Sequence, residues 1–282
     1  MRPALLVALV LSGCARVAAT PPALSRAEKV AVRAAAQRAY DSKDFASCGP
    51  AFERGGDPYN AACCYALAGD AERAFAQLTA EAKRGRSTSA QLEQDTDLAA
   101  LKKDPRWAGA LKAIDEGHAQ RLATLNAELA RIFEADQADR QGQIDWAQVK
   151  PRDEAREKRV EEILAAGEAK VAADFFHAAM VFQHGSTPAH AQRAHDLSMQ
   201  ALKLDDTHDG ARWLAAASLD RKLMYEGKPQ HYGTQFRTGA DGKWVLWDVE
   251  PATTDAERAE WNVPPLAEQR KRAEAMNRGE VR

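Results

Sequence analysis

The sequence lacks any long apolar run, since no segment reaches the roughly 20 residues that a membrane-spanning helix needs. It also lacks an excess of one charge, because 39 Lys and Arg residues face 41 Asp and Glu residues and the formal net charge is −2. Nucleic-acid binding depends on a basic excess that releases counterions from phosphate, so we expect no nucleic-acid partner. A hydrophobic fraction of 45% excludes a disordered chain and is typical of a folded protein.

Several motifs of catalytic and metal sites are also missing. The sequence contains no Gly-rich phosphate loop, no G-x-S-x-G elbow, no H-E-x-x-H and no C-x-x-C pair. The histidines between residues 177 and 195 do not follow a zinc-ligand pattern. We therefore expect no metal and no cofactor, and whether the chain is an enzyme stays open.

The first 14 residues differ from the rest of the chain. Met1 and Arg2 give a cationic start, residues 4–10 are all apolar, and Leu11-Ser12-Gly13-Cys14 follows. A charged start, an apolar segment of about ten residues and small residues at its end are typical of a secretory signal.

The ending of this segment resembles the lipobox of bacterial lipoproteins, in which a diacylglycerol is attached to the Cys thiol. The resemblance implies a signal peptide over residues 1–13, a lipid on Cys14 and a tether over residues 14–24. Ala15 follows the cysteine, and in Gram-negative lipoproteins the absence of Asp at that position implies the outer membrane. We therefore expect an envelope protein that is lipid-anchored on the periplasmic face of the outer membrane, so that the membrane itself is one partner.

Export would place Cys48, Cys63 and Cys64 in an oxidising compartment, where disulfides persist. A bond from Cys48 to Cys63 or Cys64 would close a loop of about 15 residues, for which the chain-entropy model gives about 3 kcal/mol of stabilisation. The alternative is three small apolar side chains buried on helices. The sequence leaves both open.

Residues 25–115 have the pattern of paired antiparallel helices, with abundant alanine and few β-branched residues. Gly69-Asp70 predicts a tight turn between helices over residues 59–68 and 71–84. Small and large residues around this turn and an earlier one resemble the tetratricopeptide repeat: Cys48, Phe52, Ala62, Tyr65, Ala74 and Leu78. The resemblance implies a concave surface that binds another protein, so we expect a second envelope protein as partner.

Residues 119–282 are predicted to form a helical domain with one β-hairpin. Helices are expected over residues 119–135, 152–166, 169–183, 188–204, 209–226 and 264–277, with a break over 141–151. Alternating polarity in residues 231–237 and 243–249 predicts a hairpin at about 230–249. The expected fold is mainly α: tetratricopeptide-like helical hairpins, followed by this domain.

Five polar islands lie in the second half: Asp136-Gln137-x-x-Arg140, Gln183-His184, Asp220-Arg221, Gly227-Lys-Pro-Gln230 and Tyr232-Gly-Thr-Gln235. In this order, over about residues 120–277, they resemble a bacterial domain family of unknown function. A Gly-Trp-Pro turn of that family is replaced here by Gly167-Glu168-Ala169. The resemblance implies no particular activity.

The residue types themselves suggest what the islands can do. Asp136 and Arg140 share a helix face and can pair, whereas Asp220 and Arg221 need different partners. His184 lies at a predicted helix C-terminus, where the helix dipole favours the protonated imidazole. His184 and Asp220 are therefore the leading candidates for general acid and base.

On a strand, Gln230 and Tyr232 would share one face, and Gln235 would take the other if no bulge intervenes. The full set of candidate ligand-binding or catalytic residues is Asp136, Gln137, Arg140, His184, Asp220, Arg221, Gln230, Tyr232 and Gln235. The alternative is a structural network in which buried polar groups satisfy one another. From the sequence we favour an envelope lipoprotein that acts as a protein-interaction scaffold, with a small-ligand-binding or hydrolytic domain as the alternative.

Overall fold

The computed structural model describes residues 24–280, and the predicted lipidation site Cys14 lies outside them. Thirteen helices and one two-stranded antiparallel sheet make up the described residues, which confirms the predicted mainly α fold with one β-hairpin. Within these residues no helix has both the length and the apolarity required to cross a bilayer.

The first half contains six helices and a short 3₁₀ turn at Leu101–Lys103. The helices are α1 (Arg26–Asp41), α2 (Phe45–Arg54), α3 (Pro58–Leu67), α4 (Ala71–Arg84), α5 (Ser89–Gln94) and α6 (Trp107–Ala123). Successive helices from α1 to α4 pack on one another, and α6 packs on α4. An Asp side chain caps each of α2, α3 and α4 by accepting a backbone N–H of the first turn: Asp44, Asp57 and Asp70.

The second half contains the remaining helices and the hairpin. They are α7 (Ala127–Ala138), α8 (Trp146–Ala165), α9 (Ala172–Gln183), α10 (Pro188–Leu204), α11 (Asp209–Tyr225), β1 (Phe236–Thr238), β2 (Trp244–Leu246), α12 (Asp255–Glu260) and α13 (Leu266–Asn277). Each half has its own cluster of buried apolar side chains, around Phe52 and Leu78 in the first and around Ile163 and Leu214 in the second.

The two halves are joined through helix α6 and through ion pairs. Helix α6 runs through residues 115–119, where the sequence suggested a domain boundary. At the other side, Arg26 and Arg33 of α1 form ion pairs with Asp209 at the start of α11. Burial opposes the ionisation of Asp209, but hydrogen bonds from Asn262 and Arg26 outweigh it and lower the pKa of this carboxyl to about 2.

The disulfide of the first half joins Cys48 on α2 to Cys64 on α3, and Cys63 is buried with a free thiol. Neighbouring residues on a helix point about 100° apart, so Cys64 faces α2 while Cys63 faces Asp95. Burial, followed by the charge of Asp95, raises the pKa of the Cys63 thiol far above its usual range.

In the second half, one predicted helix is divided in two and another begins earlier than predicted. The expected helix over residues 119–135 is divided, because the Asn126 side chain accepts the N–H groups of Glu128 and Leu129 and starts α7. The expected break over 141–151 is shorter, because the Asp145 side chain accepts the N–H of Ala147 and starts α8. Both errors come from polar caps that the hydrophobic pattern does not reveal.

The hairpin strands are shorter than predicted, with Arg237 opposite Val245 and three residues in each strand. Residues 231–235 form a loop, because Gly233 adopts a φ of 88° and turns the chain. On the other side of this loop, a single parallel bridge joins Gln230 to Val249.

The close approach of α4 and α6 gives a stability test with a control on the same helix. A Cβ on Gly117 would lie 1.9 Å from the carbonyl oxygen of Ala82, whereas one on Gly109 meets no atom within 4 Å. We expect Gly117→Ala to lower the free energy of unfolding by about 1–3 kcal/mol because the helices must separate. Gly109→Ala should raise it by about 0.5–1 kcal/mol through helix propensity. Urea denaturation measures both, and equal effects would contradict this packing.

Candidate functional site

Asp136 lies at the centre of the first polar cluster and is almost completely buried, with 1% of its surface exposed. Its Oδ2 lies 2.8 Å from Nδ1 of His184 and accepts a hydrogen bond of 2.9 Å from the Gln137 side-chain amide. Nη1 of Arg140 lies 2.8 Å from Oδ1. A carboxylate surrounded by donors can only accept, so Nδ1 of His184 carries the proton and donates it to Asp136.

Arg140 is itself held by helix α8. Its Nη2 lies 2.7 Å from Asp153, and Arg156 lies 2.9 Å from the other oxygen of the same carboxylate. Arg156 also pairs with Asp139, the residue that follows α7. This chain of alternating charges fixes α8 against α7 and keeps Arg140 beside Asp136.

Asp220 has a different role from the one suggested by sequence. It is fully buried and accepts the backbone N–H groups of His231, Tyr232 and Thr234 at 2.8–3.0 Å. The Thr234 hydroxyl donates a fourth hydrogen bond at 2.8 Å. Burial raises the pKa of Asp220, and these hydrogen bonds oppose the rise. The carboxylate therefore organises the loop over residues 231–235 and has no exposed surface for a ligand.

Gln230 and Gln235 close the same loop. The Gln230 side chain accepts the N–H of Gln235 at 2.8 Å and donates to the Gln235 carbonyl at 3.0 Å. The placement of these residues on opposite faces required a strand without a bulge, and the turn at Gly233 removes that condition and brings them together. Both side chains are buried, so they act as internal supports of the loop.

Arg221 connects this loop to the cluster around Asp136. Its Nε donates to the Gln235 side chain at 2.9 Å, and its Nη1 donates to the backbone carbonyl of Gln183 at the end of α9. Burial lowers the pKa of Arg221, with a further contribution from nearby Arg140. Because His184 follows Gln183 directly, Arg221 fixes the end of the helix that presents the imidazole.

Tyr232 is half-buried, and its ring lies 6.0 Å from that of Trp261. Within residues 24–280 no hydrogen bond joins its side chain to Asp136 or His184. The structure thus brings eight of the nine candidate residues into two hydrogen-bonded groups, one around Asp136 and one around Asp220, which the Gln183–His184 peptide joins. The Tyr232 side chain lies beside the second group.

A family model matches residues 123–277 of this chain, and it is described as a family of unknown function, DUF6624. This chain belongs to the DUF6624 family. No curated protein and no solved structure matches the chain. The matched residues run from the end of α6 to the end of α13 and include all five polar islands.

The structure shows three further side chains beside the cluster around Asp136, which no sequence prediction included. The Tyr225 hydroxyl donates to the carbonyl of Gly185 at 3.1 Å. His190 packs over Gly185, where a Cβ would lie 2.1 Å from its Nδ1, and the same nitrogen lies 3.5 Å from Glu157. Burial raises the pKa of Glu157, and the charge of His190 opposes this. His190 is the third residue of α10, and no sequence pattern identifies its carboxylate partner.

One group of described residues outside the DUF6624 domain has a possible metal-ligand arrangement. The ligand atoms of Cys63, Asp95 and Asp97 lie within 4.8 Å of one another. The hydroxyls of Tyr40 and Tyr59 donate to these two carboxylates at 2.8 and 2.7 Å. Each of these two carboxylates therefore already accepts a hydrogen bond from a tyrosine.

The loop around Asp220 can be tested by stability measurements. We expect Asp220→Asn to lower the free energy of unfolding by about 2–4 kcal/mol, because buried backbone donors lose a charged acceptor. Thr234→Val removes only the hydroxyl donor and should cost about 1 kcal/mol. Guanidinium denaturation of both variants tests this order. A loss below about 0.5 kcal/mol for Asp220→Asn, the range of ordinary surface changes, would contradict the assignment.

Proposed function

We propose that the DUF6624 domain binds a small polar ligand and exchanges a proton with it at Nε2 of His184. The observation that carries the proposal is the 2.8 Å contact between Nδ1 of His184 and the buried carboxylate of Asp136. A carboxylate that holds Nδ1–H leaves a lone pair on Nε2, which is the arrangement of a general base. The Asp136 charge also stabilises the imidazolium that forms when Nε2 takes a proton.

The surroundings of His184 suit this role. Its side chain is 19% exposed, so the ring is held by protein contacts and its edge still meets solvent. Arg140 pairs with the same Asp136 carboxylate, and the Tyr225 hydroxyl binds the carbonyl of Gly185, the residue after His184. These groups suit a ligand with oxygen atoms, and hydrolysis by a water molecule that His184 activates is the reaction class that fits them.

A panel of small polar esters, amides and phosphoesters tests the proposal, with turnover and binding followed by NMR. We expect His184→Gln to reduce turnover by at least about 100-fold, because general-base catalysis contributes that much or more. Asp136→Asn should also reduce it, since an amide no longer fixes the tautomer of His184.

The exposed His231 provides the matched control, because its side chain forms no hydrogen bond within residues 24–280. His231→Gln should leave turnover and binding unchanged, and all three variants should be folded by circular dichroism. A panel in which nothing binds, or in which His184→Gln binds and turns over ligand as the wild type does, would contradict the proposal.

We further propose that the chain is an envelope lipoprotein whose first half binds another protein. The series Leu11-Ser12-Gly13-Cys14 supports a lipid at Cys14 and the location on the outer membrane. The stacked helical hairpins of α1–α4 support a protein-binding surface. Because α1 is tied to Asp209 by ion pairs, deleting the first half would also disturb the second, and point variants are the better test.

Cys14→Ser should release the protein from membranes into the soluble fraction and remove its crosslinks to other envelope proteins. The physical reason is that acyl chains supply the membrane affinity, at about 0.8 kcal/mol for each buried methylene. Cys63→Ser, which removes a thiol inside the first half, is the control and should stay with the membrane. Fractionation and crosslinking of intact cells measure both, and membrane association of Cys14→Ser would contradict the anchor.

A further inference from the structure

A cavity of about 430 Å³ lies between the two halves of the chain. The first half contributes the end of α4 with the residues after it, and α6. The second half contributes the start of α9 and the segment between α10 and α11. Its charged lining residues are Arg84, Arg86, Arg121, Lys170 and Asp205. Four cationic side chains thus face one carboxylate, in a protein whose formal net charge is −2.

The positive charge in this cavity is only partly neutralised. Arg86 lies 3.5 Å from Asp205, and Arg84 lies 3.5 Å from the buried Glu81. Arg121 and Lys170 form no ion pair within residues 24–280. An anion that enters the cavity therefore meets at least two cations that are not engaged in an ion pair with another described residue.

Backbone donors at the start of α9 face the same cavity. Ala172 and Ala173 line it, and their N–H groups donate to no acceptor in the described chain. The side chain of Asp174, which could cap this end, instead accepts the N–H groups of Asn126, Lys170 and Val171. The free N–H groups and the dipole of a twelve-residue helix favour an anion at this position.

His208 adds a neutral donor to the lining. Its Nδ1 accepts the N–H of Ala211 at 3.1 Å, so the ring proton is on Nε2. Burial, followed by the charges of Arg86 and, more weakly, Arg121, lowers the pKa of His208. Arg121 also contributes to lowering the pKa of His177.

We propose that this cavity binds the phosphate group of an organic phosphate. Arginine forks and helix N-termini are both suited to phosphate oxygens, and here they converge from two halves of the chain. The apolar side chains of Leu125, Val171 and Leu204 also line the cavity. They provide contacts for the carbon part of the ligand. The phosphate ester can belong to a soluble metabolite or to a lipid headgroup, and the experiment below separates the two.

This site is distinct from the one at His184. The cavity is at the first turn of α9 and His184 follows its last residue, so the length of the helix, about 18 Å, separates them. Variants in the cavity should therefore leave the reactivity of His184 unchanged, and either proposal can fail without the other.

The test uses the full chain with Cys14→Ser as background, so that no acyl group contributes to vesicle binding. Calorimetry measures the affinity for glycerol 3-phosphate, and sedimentation measures binding to phosphatidylglycerol and phosphatidylcholine vesicles. Arg121→Gln with Lys170→Gln should weaken binding about tenfold or more, because two charged hydrogen-bond donors are removed. Arg270→Gln with Lys271→Gln removes the same charges from the exposed face of α13 and should change affinity less than about twofold.

Ala172→Pro is a second, independent variant. Proline fits the first position of a helix, and the extended backbone of Val171, with φ −117° and ψ 160°, suits a residue before proline. The change removes one free N–H, so binding should weaken while the melting temperature is kept. Saturable binding of glycerol 3-phosphate that follows this pattern supports a soluble ligand. The same pattern with phosphatidylglycerol vesicles alone supports a lipid headgroup. Absence of binding to both, or equal binding by the double variant and the control pair, would overturn the proposal.

Discussion

The buried carboxylate of Asp220 is the constraint on which the second half depends. A charge with no solvent exposure is costly unless hydrogen bonds replace its water. Here the loop over residues 231–235 supplies them from three backbone N–H groups and one hydroxyl. The loop in turn presents Gln235 to Arg221, and Arg221 binds the end of α9. The position of His184 therefore depends on a series of hydrogen bonds that starts at Asp220, whose carboxylate has no exposed surface for a ligand.

Helix α9 connects the two candidate sites. Its N-terminus faces the basic cavity and its C-terminus ends at His184. The helix dipole acts in opposite ways at these ends, favouring an anion at the first and an imidazolium at the second. Because the helix is buried along most of its length, it holds both ends rigidly against the neighbouring helices. Both proposed sites therefore take their geometry from the helix that lies at the centre of the second core.

The sequence predicts the elements well where local signals decide them. Thr187 and Pro188 mark the start of α10, and the predicted and observed ends of that helix agree. The split at Asn126 depended on one capping side chain within a continuous helical pattern, and the early start of α8 depended on another within a predicted break. The strand predicted over residues 231–237 was too long for a similar reason, since one residue with positive φ, Gly233, interrupts the alternating pattern.

The candidate sites depend on tertiary partners, which the sequence does not specify. The five polar islands of the sequence contain the residues of the Asp136 cluster. Which of these side chains are buried, and that the His184 imidazole is partly exposed, depends on the folded structure. The choice between Cys63 and Cys64 follows from which helix face meets α2. The basic cavity has no sequence pattern at all, because Arg121 and Lys170 belong to different halves and line the same cavity only in the folded chain.

The tautomer of His184 tests the central claim most directly. In the ¹⁵N NMR spectrum of the neutral protein, Nδ1 should give the shift of a protonated nitrogen and Nε2 that of an unprotonated one. This result would show that Asp136 holds the ring proton and leaves Nε2 as the base. A protonated Nε2 with an unprotonated Nδ1 would contradict the account, because the imidazole would then not donate to Asp136.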